Sequence, residues 1–140
     1  MKSFTKSLKY ILVLVIILLV SAGCKKRADK GDIRYSEEVA RIVSHVTSGT
    51  IGSGEEIRVE FNDPVGEADE INKPLDARIF DFSPTIKGLA IWTSRYTLTF
   101  RPEKELPVRK EIFGTIDLEM ISTDFKARKL GKIEFRLYVT

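Results

Sequence analysis

The sequence predicts an all-β fold, a sandwich or a barrel, on three observations. Apolar and polar residues alternate at period two around 57–61, 96–101, 112–119 and 133–139. Clusters of Gly, Pro, Asn, Asp and Ser divide the apolar stretches at short intervals. No long stretch of helical spacing follows the first 23 residues. Period two puts successive side chains on opposite faces of a strand, so each stretch has one face to bury. Short strands divided by turn signals build sandwiches and barrels.

The chain opens with a segment outside that fold. Lys2, Lys6 and Lys9 form a positive start, Ile11 to Val20 is unbroken apolar, and Ser21, Ala22 and Gly23 are small. Ten residues of helix span roughly 15 Å, about half a bilayer core. That is too short for a span and fits a cleavable export signal over residues 1–23. Cys24 follows and is the only cysteine, so no intrachain disulfide can form. It sits between small residues and Lys25-Lys26-Arg27, a poor place for a core residue. A nucleophile there would want a histidine partner, and His45 is the only one. Lipidation, ordinary secretion and an uncleaved anchor all remain open on the residues alone.

Charge follows the same division. The whole chain has 23 Lys+Arg against 20 Asp+Glu, formally +3. Removing the signal takes away Lys2, Lys6 and Lys9 and no acid, which leaves 20 of each and no net charge. The basicity therefore belongs to the leader and does not indicate nucleic-acid binding, which needs a basic face in the folded part. Residues 24–140 are enough to fold without disulfide staples.

Residues 24–38 read as a polar linker, and the folded domain is expected over 39–140. Val39, Ile42, Val43 and Val46 have helical spacing, but the β-branched run ending at Ser48-Gly49 favours a strand over Arg41 to Thr47. Ile57, Val59 and Phe61 alternate with Arg58, Glu60 and Asn62, and Asn62-Asp63-Pro64 ends that strand. Gly66 to Pro74 is an acidic loop. Ala77 to Phe82 is apolar and closes at Ser83-Pro84; Leu89 to Trp92 is a short strand after the Lys87-Gly88 turn. Tyr96, Leu98 and Phe100 alternate with Thr97, Thr99 and Arg101. Ile112, Gly114, Ile116, Leu118 and Met120 share one face of the next strand. Asp124 to Lys132 is charged and loop-like. Ile133, Phe135, Leu137 and Val139 share one face of the last strand. That makes about seven strands.

Few residues offer chemistry. One histidine and no second cysteine cannot assemble an ordinary zinc site, so His45 reads as structural and no metal is expected. Asp63, Glu67, Asp69 and Glu70 could offer oxygens to calcium, but their spacing matches no calcium loop and a solvated acidic loop is the simpler reading. Gly49, Gly52 and Gly54 precede a strand and not a helix, so they read as a turn and not a phosphate cradle. Phe80, Phe82, Trp92 and Phe100 could line a ligand pocket; aromatic residues in alternating strands more often build core. No cofactor, no catalytic residue and no enzymatic activity are expected, and no ligand-binding residue is assigned.

Two resemblances add to this reading. Ser21-Ala22-Gly23-Cys24 resembles the lipobox of bacterial lipoproteins, with Ser21 where that pattern prefers Leu. The resemblance implies cleavage between Gly23 and Cys24 and acylation of Cys24, palmitate included. Two or more acyl chains anchor a protein stably, since each buried methylene contributes about 0.8 kcal/mol. The flanking basic residues add weak attraction to anionic headgroups or are simply solvated.

The second rests on three stretches: Val46-Thr47-Ser48-Gly49-Thr50-Ile51 leading into Ile57 to Phe61; Phe82 to Gly88 with Trp92; and Tyr96 to Pro102 followed by Leu106-Pro107. Together they resemble the Ig-like module that opens bacterial lipoprotein α2-macroglobulins, particularly those of Bacteroidetes. The resemblance implies an Ig-like, macroglobulin-type antiparallel β-sandwich. It also implies a non-catalytic opening module of a membrane-tethered protease trap, an endopeptidase-inhibitor family. Its partners would be proteases or further macroglobulin domains, and its place the envelope, facing the periplasm because Lys25-Lys26-Arg27-Ala28 lacks an acidic surface-export tag. The family's Cys-x-Glu-Gln thioester has no counterpart, because Cys24 is followed by Lys25-Lys26-Arg27. The alternative is a stand-alone Ig-like envelope lipoprotein that binds protein or glycan.

Overall fold

The computed structural model describes residues 6–7, 9–10 and 33–140. Gly23, Cys24, most of the expected signal and the linker up to residue 32 lie outside the described residues. Within the span read as linker, Ile33–Arg34 is already a short strand, β1. Ser36 then caps a helix, α1 (Glu37–Ile42), by accepting the Val39 N–H at 3.2 Å, with Glu37 and Glu38 in the first turn. A side-chain acceptor and negative charge both suit the exposed N–H groups at a helix start. Helix and strand divide the ambiguous segment between them: β2 is Val43–Val46. The strand expected from Arg41 therefore starts later, because capping commits 37–42 to a helix that buries Val39.

The other strands are β3 (Gly49–Ile51), β4 (Ile57–Phe61), β5 (Phe80–Ser83), β6 (Gly88–Ser94), β7 (Thr97–Pro102), β8 (Glu111–Asp117) and β9 (Lys132–Val139). They form two sheets that share no strand. One is four-stranded in the order β2-β4-β7-β6, antiparallel throughout. The other is five-stranded in the order β1-β9-β8-β5, with β3 also on β9. The fold is thus an Ig-like β-sandwich and not a barrel.

β9 is long enough to hold two short partners on one edge. β1 pairs antiparallel at Ile33↔Phe135, and β3 pairs parallel at Gly49↔Leu137 to Ile51↔Val139. The Gly49–Gly54 turn thus becomes partly a strand. Its parallel pairing leaves no trace in local alternation.

Between the sheets lies one core. Ile57, Leu98 and Phe100 meet Ile112, Ile116, Ile133 and Leu137, all at most 2 % exposed. Fully burying each such side chain contributes about 1.5–3 kcal/mol. Rings bridge the layers: Phe100 packs 4.8 Å from Phe82 and 5.4 Å from Phe80, centroid to centroid. The outer edge of β6 is covered by the loop before β5, where the Asn72 and Leu75 N–H groups donate to the Trp92 and Ala90 carbonyls. Covering an edge in this way removes a template for unwanted strand pairing.

Several expected boundaries shift. Ala77–Ile79 is a 3₁₀ turn capped by Asp76, so β5 begins only at Phe80. Tyr96 lies in the turn between β6 and β7 and is 47 % exposed, its N–H donated to Ser94 Oγ. The alternation of β8 ends at Asp117, whose carboxylate accepts the Glu119 N–H and starts a 3₁₀ turn; Met120 is therefore exposed. The charged segment 124–132 is not a plain loop. Ser122 caps a helix, α2 (Thr123–Ala127), that buries Phe125, and Leu130 is buried beyond it.

Candidate functional site

Most residues singled out in the sequence are structural. Phe80, Phe82, Trp92 and Phe100 are all buried, and Trp92 packs 6.0 Å from Phe61. They fill the core. His45 is exposed on the edge strand β2, and among the described residues no three His, Cys, Asp or Glu side chains are grouped to hold a metal. Asp63, Glu67, Asp69 and Glu70 are exposed. Their loop is shaped from its backbone side: the Val65 and Gly66 N–H groups donate to the Arg95 carbonyl, and Arg95 Nε donates to the Gly66 carbonyl. Gly66 lies against the Trp92 indole, where a Cβ would come within 2.6 Å. Gly52 donates its N–H to Glu55 at 3.1 Å, as a turn residue does. Cys24 lies outside the described residues.

Among the described residues, two surface depressions are notable. One, of about 620 Å³, lies between Ser36–Arg41 and Arg128–Leu130. On its wall Arg128 binds Glu38 at 2.9 Å and Asp124 at 3.3 Å, and these bonds raise the Arg128 pKa, that to Glu38 most. The other, of about 390 Å³, lies between the 85–87 and 103–107 loops. Elsewhere, Arg78 holds the exposed Asp76 carboxyl at about 2, first through side-chain hydrogen bonds and then through its backbone N–H. Every buried side-chain polar atom among the described residues has a partner. Thr99, fully buried, pairs its hydroxyl with that of Thr93 at 3.1 Å.

The outer face of the five-stranded sheet is different in kind. Along β8, Ile112, Gly114 and Ile116 are buried, so Glu111, Phe113 and Thr115 point outward. Along β9, Glu134, Arg136 and Tyr138 do the same. Register sets Phe113 directly opposite Arg136, and Glu111 opposite Tyr138. Phe113 is 50 % exposed and Tyr138 38 %. The Arg136 guanidinium carbon lies 5.3 Å from the Phe113 ring centroid. Its Nη1 donates to Tyr138 Oη at 3.0 Å, and its Nε lies 3.3 Å from Glu111.

A cation over an exposed ring contributes about 0.5–1 kcal/mol, and an exposed ion pair no more. These contacts do little for stability. They do bring ring, guanidinium and phenol together into one plate on the outer face. Sequence reading missed it because attention went to the apolar phase of each strand. The available signal was an aromatic residue on the polar phase of both β8 and β9.

No family model matches the chain, and no curated protein matches its sequence. Among solved structures, an L,D-transpeptidase from Mycobacterium tuberculosis H37Rv is similar at 10 % identity and a TM-score of 0.46, covering 70 % of this chain and 39 % of that one. L,D-transpeptidase 3 from Mycobacterium tuberculosis, in complex with a faropenem-derived adduct, is similar at 10 % identity and 0.46, covering 70 % and 37 %. An L,D-transpeptidase from Mycobacterium smegmatis is similar at 14 % identity and 0.45, covering 70 % and 39 %. This chain thus spans well under half the length of those proteins, and likeness at this level transfers no chemistry.

Proposed function

We propose that this chain is a non-catalytic binding module, held at a bacterial membrane by lipid on Cys24 and facing the periplasm. Its working surface is the outer face of the five-stranded sheet. The observation that carries this reading is the plate of Phe113, Arg136 and Tyr138, partly exposed and in mutual contact. Two partly exposed aromatic rings flanking an arginine combine residue types that are enriched on recognition surfaces.

The test is photo-crosslinking in cells. A photoreactive residue replacing Thr115, beside the plate, is compared with one replacing Arg58, outside the other sheet. Adducts from position 115 that vanish with Phe113→Ala are expected. Equal adducts from both positions, or none from either, would overturn the reading. The anchor is tested separately: Cys24→Ser should abolish palmitate incorporation and leave an unprocessed precursor, and unchanged labelling would remove the lipid.

A second reading makes the same sandwich the opening scaffold of a macroglobulin-like, protease-trapping lipoprotein. Its support is that the residues of the three resembling stretches build the core: Val46, Ile51, Val59, Phe61, Phe82, Trp92, Leu98 and Leu106 are all buried. An immunoblot of native envelope fractions separates the two. A band many times larger than 15.9 kDa supports the trap, and a single small membrane-bound band the lone module.

A further inference from the structure

We propose that the Phe113–Arg136–Tyr138 plate binds an uncharged, β-1,4-linked glycan laid across the outer face of the five-stranded sheet. This rests on the binding-module reading and names its ligand.

Shape is the first argument. Small ligands are held in concave pockets that bury most of their surface, whereas the plate residues stand on the outer face of a sheet and line neither described depression. A ligand on an open sheet face must be extended to gain enough contact. A protein partner needs roughly 800 Å² on each side, with an apolar centre depleted of charge. Here two partly exposed rings stand among charged and hydroxyl side chains at every second position of β8 and β9.

Charge is the second. Arg34, Lys132 and Arg136 on this face stand against Asp81, Glu111, Asp117 and Glu134, and they oppose one another in register at Arg34↔Glu134 and Asp117↔Lys132. A face whose charges nearly cancel attracts neither a polyanion nor a polycation. An uncharged ligand rich in hydroxyls is the complementary one.

Chemistry is the third. In a β-1,4-linked chain of glucose configuration the substituents are equatorial, so each ring offers C–H groups on its faces and hydroxyls at its rim. The Phe113 ring takes the C–H face. Arg136 donates, Glu111 accepts, and the Tyr138 hydroxyl does both. Because Tyr138 lies two residues beyond Arg136, it is diagonal to Phe113, at about 7–8 Å. Two adjacent sugars can therefore engage two rings.

The test is an NMR titration of the ¹⁵N-labelled full chain in detergent micelles with cellohexaose, and with α-linked maltohexaose as control. Cellohexaose should shift the amides of Phe113, Arg136 and Tyr138, and maltohexaose should not. Phe113→Ala should weaken binding by roughly tenfold, the worth of one aromatic contact, while the domain stays folded with its melting midpoint lowered by only about 2–8 °C. Tyr138→Phe, which removes only a hydroxyl, should also weaken it, and Arg58→Ala on the far sheet should not. Shifts confined to another surface, no shifts, or undiminished binding by Phe113→Ala would overturn the glycan assignment. Adducts from position 115 to an envelope protein without glycan-induced shifts would remove the glycan and leave the binding module. Loss of both signals would remove both.

Discussion

Gly114→Ala is the substitution that most directly tests the packing between β8 and β9. Gly114 faces inward, and a Cβ built there would lie 2.2 Å from Phe135 Cζ and 2.6–2.7 Å from both ring Cε atoms. Phe135 is 3 % exposed and meets Phe82 edge-on at 6.1 Å, so the ring has little room to swing. Gly114 is outside the left-handed region, and its backbone accepts alanine without strain. Alanine would even help slightly, by about 0.4–1 kcal/mol, through the unfolded chain. Overpacking costs about 1–3 kcal/mol. The net expectation is a loss of roughly 1–2 kcal/mol, or a melting midpoint lower by about 5–15 °C. Denaturant unfolding followed by fluorescence of Trp92, the only tryptophan and 2 % exposed, measures it. Phe135→Leu supplies the second arm: with the ring gone, the added methyl has space. The double variant should be more stable than the sum of the single losses predicts, by about 0.5 kcal/mol or more. Strict additivity, or stabilisation by Gly114→Ala alone, would refute the steric argument.

Phe100→Ala should cost about 3–5 kcal/mol, because the ring joins both sheets; a change near zero in the same unfolding assay would mean that Phe100 does not face the core. Ser122→Ala should cost about 1 kcal/mol by uncapping α2, and thermal melts that overlay the parent's would count against a capped helix there. The Asp76 carboxyl should titrate near 2 by NMR, and Arg78→Ala should return it towards 3.8. The folded-state value is the lower one, so this pair's support for folding is present above 3.8 and fades as pH falls through about 2. An unchanged Asp76 titration in Arg78→Ala would remove Arg78 as the cause.

The legible parts were those with a local period. In β4, β8 and β9 the alternating apolar residues face the core as the sequence implied. The helices were harder to read, because each is a single short element decided by one capping serine, Ser36 or Ser122, and not by a repeated pattern. Phe125 and Leu130, isolated among charges, gave no periodic signal, although both are buried. The candidate surface was hidden for a related reason: Phe113 and Arg136 lie far apart in sequence and meet only through strand register.

By itself, then, the sequence determined an all-β fold, the core-facing side of β4, β8 and β9 and the core roles of Phe80, Phe82, Trp92 and Phe100. Each follows from period two and side-chain chemistry within a few residues. Only the tertiary structure decided that two sheets stack without closing into a barrel, that β3 runs parallel to β9 while β1 takes the rest of that edge, and that Arg136 lies over Phe113. Those outcomes depend on which strands pair and in what register, and pairing energy is shared between segments distant in the chain, so no single stretch carries it.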